Sequence, residues 1–347
     1  MSGETLQVGG IALALRDVSA GDRAAVLALH TLVFGPDVDE RWFDWKYGQA
    51  AQQGQGQAVG LWHGGELIAF CGGLPRTLWQ QAQSRRAMQI GDVMVHPAWR
   101  GILRRHGPFF QVSKRFYDSQ LGAAPGRPFQ IGFGFPNARH LRLAVVLGLL
   151  QRSGAMESLH WSAAQAPAAA LPWHWRWHEL PATDARWERT AEAAWRAMRS
   201  HSAGLTLGER GAGYLRWRYA NRPPAPGAPA GASARYRFFG LRRAWSPRCA
   251  GIAVLDLRSS SARWLDWIGP LAWLPMASQA CRLEAARAGA AELTAWASAA
   301  VAEQLAHSGI TQREVCAEIG IPSASDLEPH EVSGLRWWLM GGDTDFL

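Results

Sequence analysis

The feature that most constrains this fold is a repeat of elements with a period near half the chain. The segment Trp42–Tyr47 reads WFDWKY and the segment Tyr214–Tyr219 reads YLRWRY, so aromatic residues recur at matching positions. In each half a strand and a helix precede this segment, and a loop, three strands and a further helix follow it. Five elements in one order indicate duplication of one unit. The small, proline-containing stretch Ala163–Pro172 predicts a linker, so we expect two α+β domains, 1–165 and 166–347.

Composition places the chain among globular proteins. With 347 residues and 48% hydrophobic content it can build two cores. No apolar run approaches the roughly 20 residues that span a bilayer, and the N-terminus lacks the basic-then-apolar order of a secretory signal. We therefore expect a soluble, cytoplasmic protein without a membrane span. The four cysteines are scattered without C-x-x-C spacing, which argues against a disulfide framework and against a zinc site.

The basic charge of the chain is a weak indication of its partners. The net charge of +8 would suit a polyanion. However, only Lys46 and Lys114 are lysines, so 36 basic residues minus 2 leaves 34 arginines, spread along the whole chain. Such a bias is more typical of genome composition than of a binding surface. Nucleic acid is therefore not an expected partner, and the 19 tryptophans are assigned to core packing.

The segment from Gln89 to Gly107, QIGDVMVHPAWRGILRRHG, carries the clearest chemistry. A short β-like run is followed by a proline, an Arg-Gly turn and an apolar, helix-compatible stretch. A strand that ends at such a turn and leads into a helix leaves free backbone N–H groups at the helix start, where phosphate can bind. About thirty residues on, Asn137 is placed to cap a second helix that ends near Gly148.

These residues resemble the GNAT acyltransferase superfamily, and in particular its tandem members with two such domains in one chain. The pattern V-x-P-x-x-R-G is present as Val95 to Gly101, and the later N-x-x-A pattern corresponds to Asn137 and the helix after it. The resemblance implies two tandem mixed-sheet domains with flanking helices. It also implies an acyl-CoA-dependent N-acyltransferase, with acetyl-CoA or another acyl-CoA as co-substrate and a small-molecule or peptidyl amine as acceptor.

The resemblance assigns the acyl-CoA site to the first half. In that family a central strand separates from its neighbour at a bulge, so that its backbone can pair with pantetheine, and the following loop wraps the pyrophosphate. The residues that this implies for cofactor binding are Val93, Met94, Val95, Arg100, Gly101, Arg104, Arg105, Gly107, Asn137 and His140. Two departures stand out. Leu103 and Arg105 replace family glycines, and Ala144 replaces the tyrosine that protonates the leaving thiolate, with Leu305 as its counterpart in the second half.

Two side chains are candidate general bases for the acceptor amine. Asp92 lies on the strand that would face the site, and the alternative is a carboxylate that caps a turn. His96 has an ordinary pKa close to neutrality, and the alternative is a solvent-facing turn histidine. Asp343 and Asp345 could reach the same site from the chain end, or form a solvated acidic tail.

The second half lacks the Arg-Gly turn, because Asp266 to Pro270 leads into LAWLPM. We therefore expect that this copy does not bind CoA in the usual way and that it shapes the acceptor pocket between the domains. Two other functions stay open at this point. One is an aminoacyltransferase of similar tandem fold that uses aminoacyl-tRNA, and the other is a non-catalytic GNAT scaffold. The oligomeric state is left unassigned.

Overall fold

A computed structural model describes residues 3–8, 10–35, 38–48, 57–100, 107–163, 171–224, 226, 235–246, 248–258 and 260–344. The strands are β1 Glu4–Val8, β2 Ile11–Asp17, β3 Gln57–His63, β4 Glu66–Gln80, β5 Gln83–Val95, β6 Ile131–Gly134, β7 Leu150–Ser162, β8 Trp175–Glu179, β9 Thr206–Gly208, β10 Tyr236–Arg243, β11 Cys249–Leu257, β12 Ser261–Ile268, β13 Glu292–Ser298, β14 Gln312–Pro322 and β15 Trp337–Trp338. The helices are α1 Arg23–Phe34, α2 Glu40–Tyr47, α3 Pro108–Gln120, α4 Ala138–Val146, α5 Trp187–Ser200, α6 Ala212–Leu215, α7 Leu274–Arg287, α8 Ala299–Gln304 and α9 Pro329–Gly334.

The strands of the described residues form one mixed sheet. Its order is β1-β2-β3-β4-β5-β6-β14-β7-β13-β12-β11-β10-β8, with β9 and β15 attached beside β4. From β2 to β8 this order has a twofold symmetry. Each strand of the first half has a counterpart at the same position counted from the other end: β2 with β8, β3 with β10, β4 with β11, β5 with β12, β6 with β13 and β7 with β14. In each half one parallel pair, β5 with β6 or β12 with β13, adjoins antiparallel strands. The predicted duplication, the α+β class and the mixed sheet are confirmed.

The two halves exchange a strand at the centre of the sheet. β7 of the first half pairs with β13 and β14 of the second, and β14 also meets β6 at Gly320 and Gly134. Reciprocal ion pairs connect the two exchanged strands, Arg152 with Glu318 at 2.7 Å and Arg313 with Glu157. The halves therefore share a central sheet. The division at residue 165 stays a prediction, since residues 164–170 lie outside the described ranges.

The repeated aromatic segments meet on the pseudo-twofold axis. The rings of Trp45 and Trp217 stack with centroids 4.9 Å apart and an interplanar angle of 14°. Each indole N–H donates to the other residue's carbonyl oxygen, at 2.9 and 3.2 Å. Both side chains are buried. The prediction that these tryptophans are core residues is confirmed, and their reciprocal contact explains why the motif occurs twice.

Helices cover both faces of the first half's sheet. α1 and α2 pack on one face through residues such as Leu29 and Phe43. On the other face α3 and α4 pack through residues such as Phe116 and Leu141. The predicted helices are present, and Gly64 and Gly65 form the turn between β3 and β4. The polar sequence of the edge strand β1 does not predict a strand. None of the helices in the described ranges has the length and hydropathy that a bilayer span requires.

Candidate active site

A gap opens in the sheet where β5 separates from β6. Their parallel pairing runs from Ala87 with Ile131 to Ile90 with Gly134 and then stops, because Phe135 and Pro136 turn the chain toward α4. Residues 91–95 of β5 therefore have no β6 partner within the described chain. Apart from the Val95 carbonyl, which accepts from Arg100, their backbone groups on that side are available to a ligand. We call this gap, between 91–95 of β5 and 135–137, the first splay.

A bulge in β5 marks the same place. The pairing of β5 with β4 shifts between Phe70 and Gly72, so that Asp92 and Val93 lie opposite Cys71 alone. Asp92 has a φ of 51°, in the left-handed region that non-glycine residues seldom occupy. A bulge with such a residue redirects its side chain and interrupts the ladder. The strained conformation thus sets the position of the carboxylate that the sequence singled out as a base.

The first splay contains a cavity of about 160 Å³ that reaches toward both faces of the sheet. Asp92 and Phe34 line it on the α1–α2 side. On the α3–α4 side it is lined by Tyr117, Asn137 and His140. The second half contributes Gly320 from the exchanged strand β14. We call this space the transfer cavity, because two reactants could meet in it from opposite faces.

Asp92 is held by two donors on one of its oxygens. The Tyr47 hydroxyl donates to Oδ2 at 2.6 Å, and the buried ammonium of Lys46 lies 2.6 Å from the same atom. For Oδ1 the described residues provide no hydrogen-bond partner. One oxygen is therefore fixed by the protein, while the other remains available to a ligand in the cavity.

The start of α4 and Tyr117 of α3 form the opposite wall. The Asn137 side chain accepts a hydrogen bond from the His140 backbone N–H at 2.8 Å, which confirms the predicted cap. The His140 ring meets Phe109 edge-on, with centroids 4.8 Å apart. Burial lowers the pKa of His140, so its imidazole is neutral at neutral pH. Gly107 is the N-cap of α3 and directly precedes Pro108.

Except for Val93, the other described residues that the sequence singled out lie outside the cavity. Val93 lines it, whereas Met94 is buried in the core on the α1–α2 face. His96 lies at the strand end, where Nδ1 accepts the Ala98 N–H at 3.2 Å. Arg100 donates from Nε to the Val95 carbonyl at 3.0 Å. Four further candidates lie outside the described residues: Gly101, Arg104, Arg105 and Asp345.

Sequence reasoning missed the partners of the cavity. Tyr47 and Lys46 lie in the repeated aromatic segment, where Tyr47 recurs as Tyr219 and Lys46 is replaced by another cation, Arg218. This recurrence was a usable signal. Tyr117 is 4% exposed and lines the cavity, and burial raises its pKa well above the usual value. Nothing in the apolar pattern of α3 distinguishes Tyr117 from its neighbours. Ala144, which stands where a tyrosine was expected, is fully buried in the same cluster.

The corresponding gap in the second half is filled by the chain itself. The pairing of β12 with β13 ends at Trp264 and Ala295. We call the gap beyond this point the second splay, between 265–268 and 296–298. Residues 339–344 enter it, and Met340 bridges to Ala297. A side chain at Gly342 would overlap the Tyr219 hydroxyl, so only glycine fits there.

Buried charges fix this inserted segment. Arg210 donates to Asp266 at 2.8 Å and to Asp343, and all three side chains have no exposed surface. The Tyr219 hydroxyl donates to Asp266 at 3.1 Å. Asp343 also lies 3.3 Å from Arg76 of the first half. Both expectations for Asp343 are therefore wrong: it is neither beside Asp92 nor part of a solvated tail, because the segment folds into the second splay.

Comparison with known proteins identifies the fold. No family model matches the sequence, and no curated protein matches it. Among solved structures, the chain is similar to a conserved protein from Enterococcus faecalis V583 described as a probable N-acyltransferase, with a TM-score of 0.63, 9% identity, and coverage of 89% of this chain and 72% of that one. It is also similar to a tandem GNAT protein of the clavulanic acid biosynthesis pathway, with a TM-score of 0.56, 12% identity and coverage of 91% and 100%.

A third similar structure is the Saccharomyces cerevisiae N-myristoyltransferase with bound myristoyl-CoA, with a TM-score of 0.53, 10% identity and coverage of 91% and 80%. At these identities the comparisons establish the fold. The chain therefore has the GNAT fold. More particularly, its arrangement is that of two GNAT units in tandem.

Proposed function

We propose that the protein is an acyl-CoA-dependent N-acyltransferase that uses acetyl-CoA and a small-molecule or peptide amine, with the reaction in the first splay. The observation that carries the proposal is the transfer cavity, which reaches both faces of the sheet beside a carboxylate with one free oxygen. Its structural neighbours include GNAT proteins and an enzyme whose structure contains myristoyl-CoA, so the fold accommodates acyl-CoA donors.

The residues of the first splay fit the acyl end of such a donor. The unpaired edge of β5 at 91–95 offers backbone donors and acceptors to an extended amide chain, as an added strand would require. Near the mouth, the N-terminus of α3 after Gly107 favours negative charge, and the exposed Arg100 adds a cation. The bound thioester supplies the acyl group. Gly101, Arg104 and Arg105 stay candidates for the phosphate contacts.

Asp92 would receive the acceptor on the opposite face. An amine that enters past Phe34 meets Oδ1, which can orient it and accept its proton. Lys46 and Tyr47 keep Oδ2 occupied, so the carboxylate cannot turn away from the cavity. His96 also stays a candidate base, although its ring nitrogen caps a turn outside the cavity. No tyrosine at position 144 protonates the leaving thiolate, and a thiolate is a good enough leaving group for the transfer to proceed without that proton.

The test is stabilisation by the donor. Acetyl-CoA at about 100 times its dissociation constant should add about 2.7 kcal/mol to the free energy of unfolding, read as a rise in Tm. Arg100→Glu should abolish most of this rise. Arg115→Glu, an equal charge change on the exposed side of α3, should leave it intact. A wild-type protein whose Tm does not respond to any acyl-CoA contradicts the proposal, and release of CoA with a panel of amines distinguishes an enzyme from a scaffold.

A further inference from the structure

Tyr117 separates two cavities. One is the transfer cavity. The other, of about 300 Å³, lies between α3 and the C-terminal end of α4 and opens to the surface. Tyr117 lines both, and the second cavity is further lined by the apolar side chains Phe110, Leu147, Leu149 and Ala324. The ring is therefore a wall with space on both sides, an unusual position for a large side chain in a close-packed interior.

This wall is buried. Tyr117 projects from α3 with only 4% of its surface exposed. The Cys71 thiol of β4 and the Ser113 hydroxyl, one turn earlier on α3, influence the pKa of this phenol, and both of these side chains have no exposed surface. Because burial raises the pKa of Tyr117 well above its usual value, the hydroxyl stays protonated at physiological pH.

We propose that Tyr117 sets the length of the acyl group, closing the transfer cavity so that only short acyl groups of the acetyl class fit, and that the space behind it would hold a longer chain if the ring were removed. The inference rests on the proposed function. The occupant of the second cavity in that case is the acyl chain of the donor itself.

The direction of the second cavity favours this occupant. It continues from the transfer cavity on the α3–α4 face, which is the face opposite to Asp92 and the acceptor. Apart from Ser323, its lining away from the rim is apolar, as a hydrocarbon chain requires. The charged residues at its rim, Lys114 and Asp118, neutralise each other at 2.7 Å. A charged ligand would have to break that pair, whereas an alkyl chain would not.

The experiment measures the affinity for CoA thioesters by calorimetry, which needs no acceptor. Acetyl-, butyryl- and hexanoyl-CoA are titrated into the full chain as wild type, Tyr117→Ala and Tyr117→Phe. Each methylene buried in an opened cavity adds about fourfold in affinity. Wild type and Tyr117→Phe should prefer acetyl-CoA, because the ring persists in both. Tyr117→Ala should reverse this order and bind hexanoyl-CoA at least roughly tenfold more tightly than acetyl-CoA.

Two further variants keep the test decisive. If Tyr117→Ala does not fold, Tyr117→Leu shortens the wall while it preserves an apolar side chain, and it should shift the preference toward butyryl-CoA. Ala324→Trp, added to Tyr117→Ala, fills the second cavity and should remove the gain for hexanoyl-CoA without loss of acetyl-CoA binding. An unchanged order of affinities in folded Tyr117 variants, or equal binding of all three thioesters by wild type, overturns the role of Tyr117. Failure of wild type to bind any thioester instead overturns the proposed function, and with it the role of Tyr117 in setting the length of the acyl group.

Discussion

The first and second splays are equivalent positions in the two halves. The first contains a cavity, whereas the second is filled by the chain itself. Each has a bulged strand with an aspartate, Asp92 or Asp266, and a tyrosine hydroxyl that donates to it, from Tyr47 or Tyr219. In the first splay the aspartate adjoins a cavity. In the second splay it is fully buried and bound to Arg210, and the chain's own C-terminal segment occupies the space. The same groups thus border a cavity in one copy and are part of the packed interior in the other.

This difference shows that a repeated residue pattern does not imply a repeated function. The Tyr–Asp pair is compatible with both outcomes, and the neighbours decide between them. A lysine that binds one carboxylate oxygen leaves the other to a ligand. An arginine that lies between two carboxylates forms ion pairs with both, so neither carboxylate is left for a ligand. The two splays can therefore be compared directly by mutation.

The largest effect is expected from Arg210→Met. The substitution leaves Asp266 and Asp343 buried without their main cation, and breaking a buried ion pair of this kind costs about 3–5 kcal/mol. Lys46→Met in the first splay should cost less, about 1–2 kcal/mol, because Asp92 keeps the Tyr47 hydroxyl and adjoins a cavity that admits water. Urea denaturation of both variants measures the two losses. Equal losses would mean that the first splay is as dependent on its ion pair as the second.

Gly342→Ala tests the filling of the second splay. Its Cβ would overlap the Tyr219 hydroxyl and lie 3.1 Å from Asp266 Oδ2, so the C-terminal segment must shift. Overpacking of this kind costs about 1–3 kcal/mol. Gly334→Ala, at a helix end where a Cβ meets nothing within 4 Å, is the control and should change stability by less than about 0.5 kcal/mol. A Gly342→Ala protein as stable as the control would show that the segment does not pack tightly in solution.

The cations of the two splays, Lys46 and Arg218, can each be replaced by the type found in the other splay. Lys46 corresponds to Arg218, which donates to the carbonyls of Gly342 and Thr344 at 3.0 and 2.7 Å. In Lys46→Arg the guanidinium fork can occupy both oxygens of Asp92, so acyl transfer should fall by roughly tenfold or more while stability changes little. Arg218→Lys should do the reverse, with about 1–2 kcal/mol lost and transfer unchanged. CoA release and urea denaturation measure the two effects, and a Lys46→Arg enzyme at wild-type rate would exclude a role for Oδ1.

Local signals in the sequence were sufficient for much of the fold. The Asn137 cap depends on residues close in the chain, and the core position of the repeated tryptophans depends on a repeat; both are confirmed. The exchange of β7 and β14 could not be predicted, because a strand's pattern records which face is buried and not which strand lies beside it. For the same reason, the insertion of Asp343 into the second splay and the position of Tyr117 between two cavities depend on distant contacts.

The smallest expected effect is a pH dependence confined to the first splay. His140 corresponds to Val301, so His140→Val introduces the side chain of the second half at this position. Burial lowers the pKa of His140 below the unfolded value of about 6.5, so the unfolded chain takes up the proton first. Stability is therefore lost as pH falls below about 6.5, and the loss levels off below the lower folded-state pKa.

Tm measured from pH 7.5 to pH 5 should fall less in His140→Val than in wild type. His178, whose pKa is also lowered by burial, is present in both proteins, so the difference between the two curves reports His140 alone. Parallel curves would mean that the imidazole is solvated in the transfer cavity and that this wall is open to water.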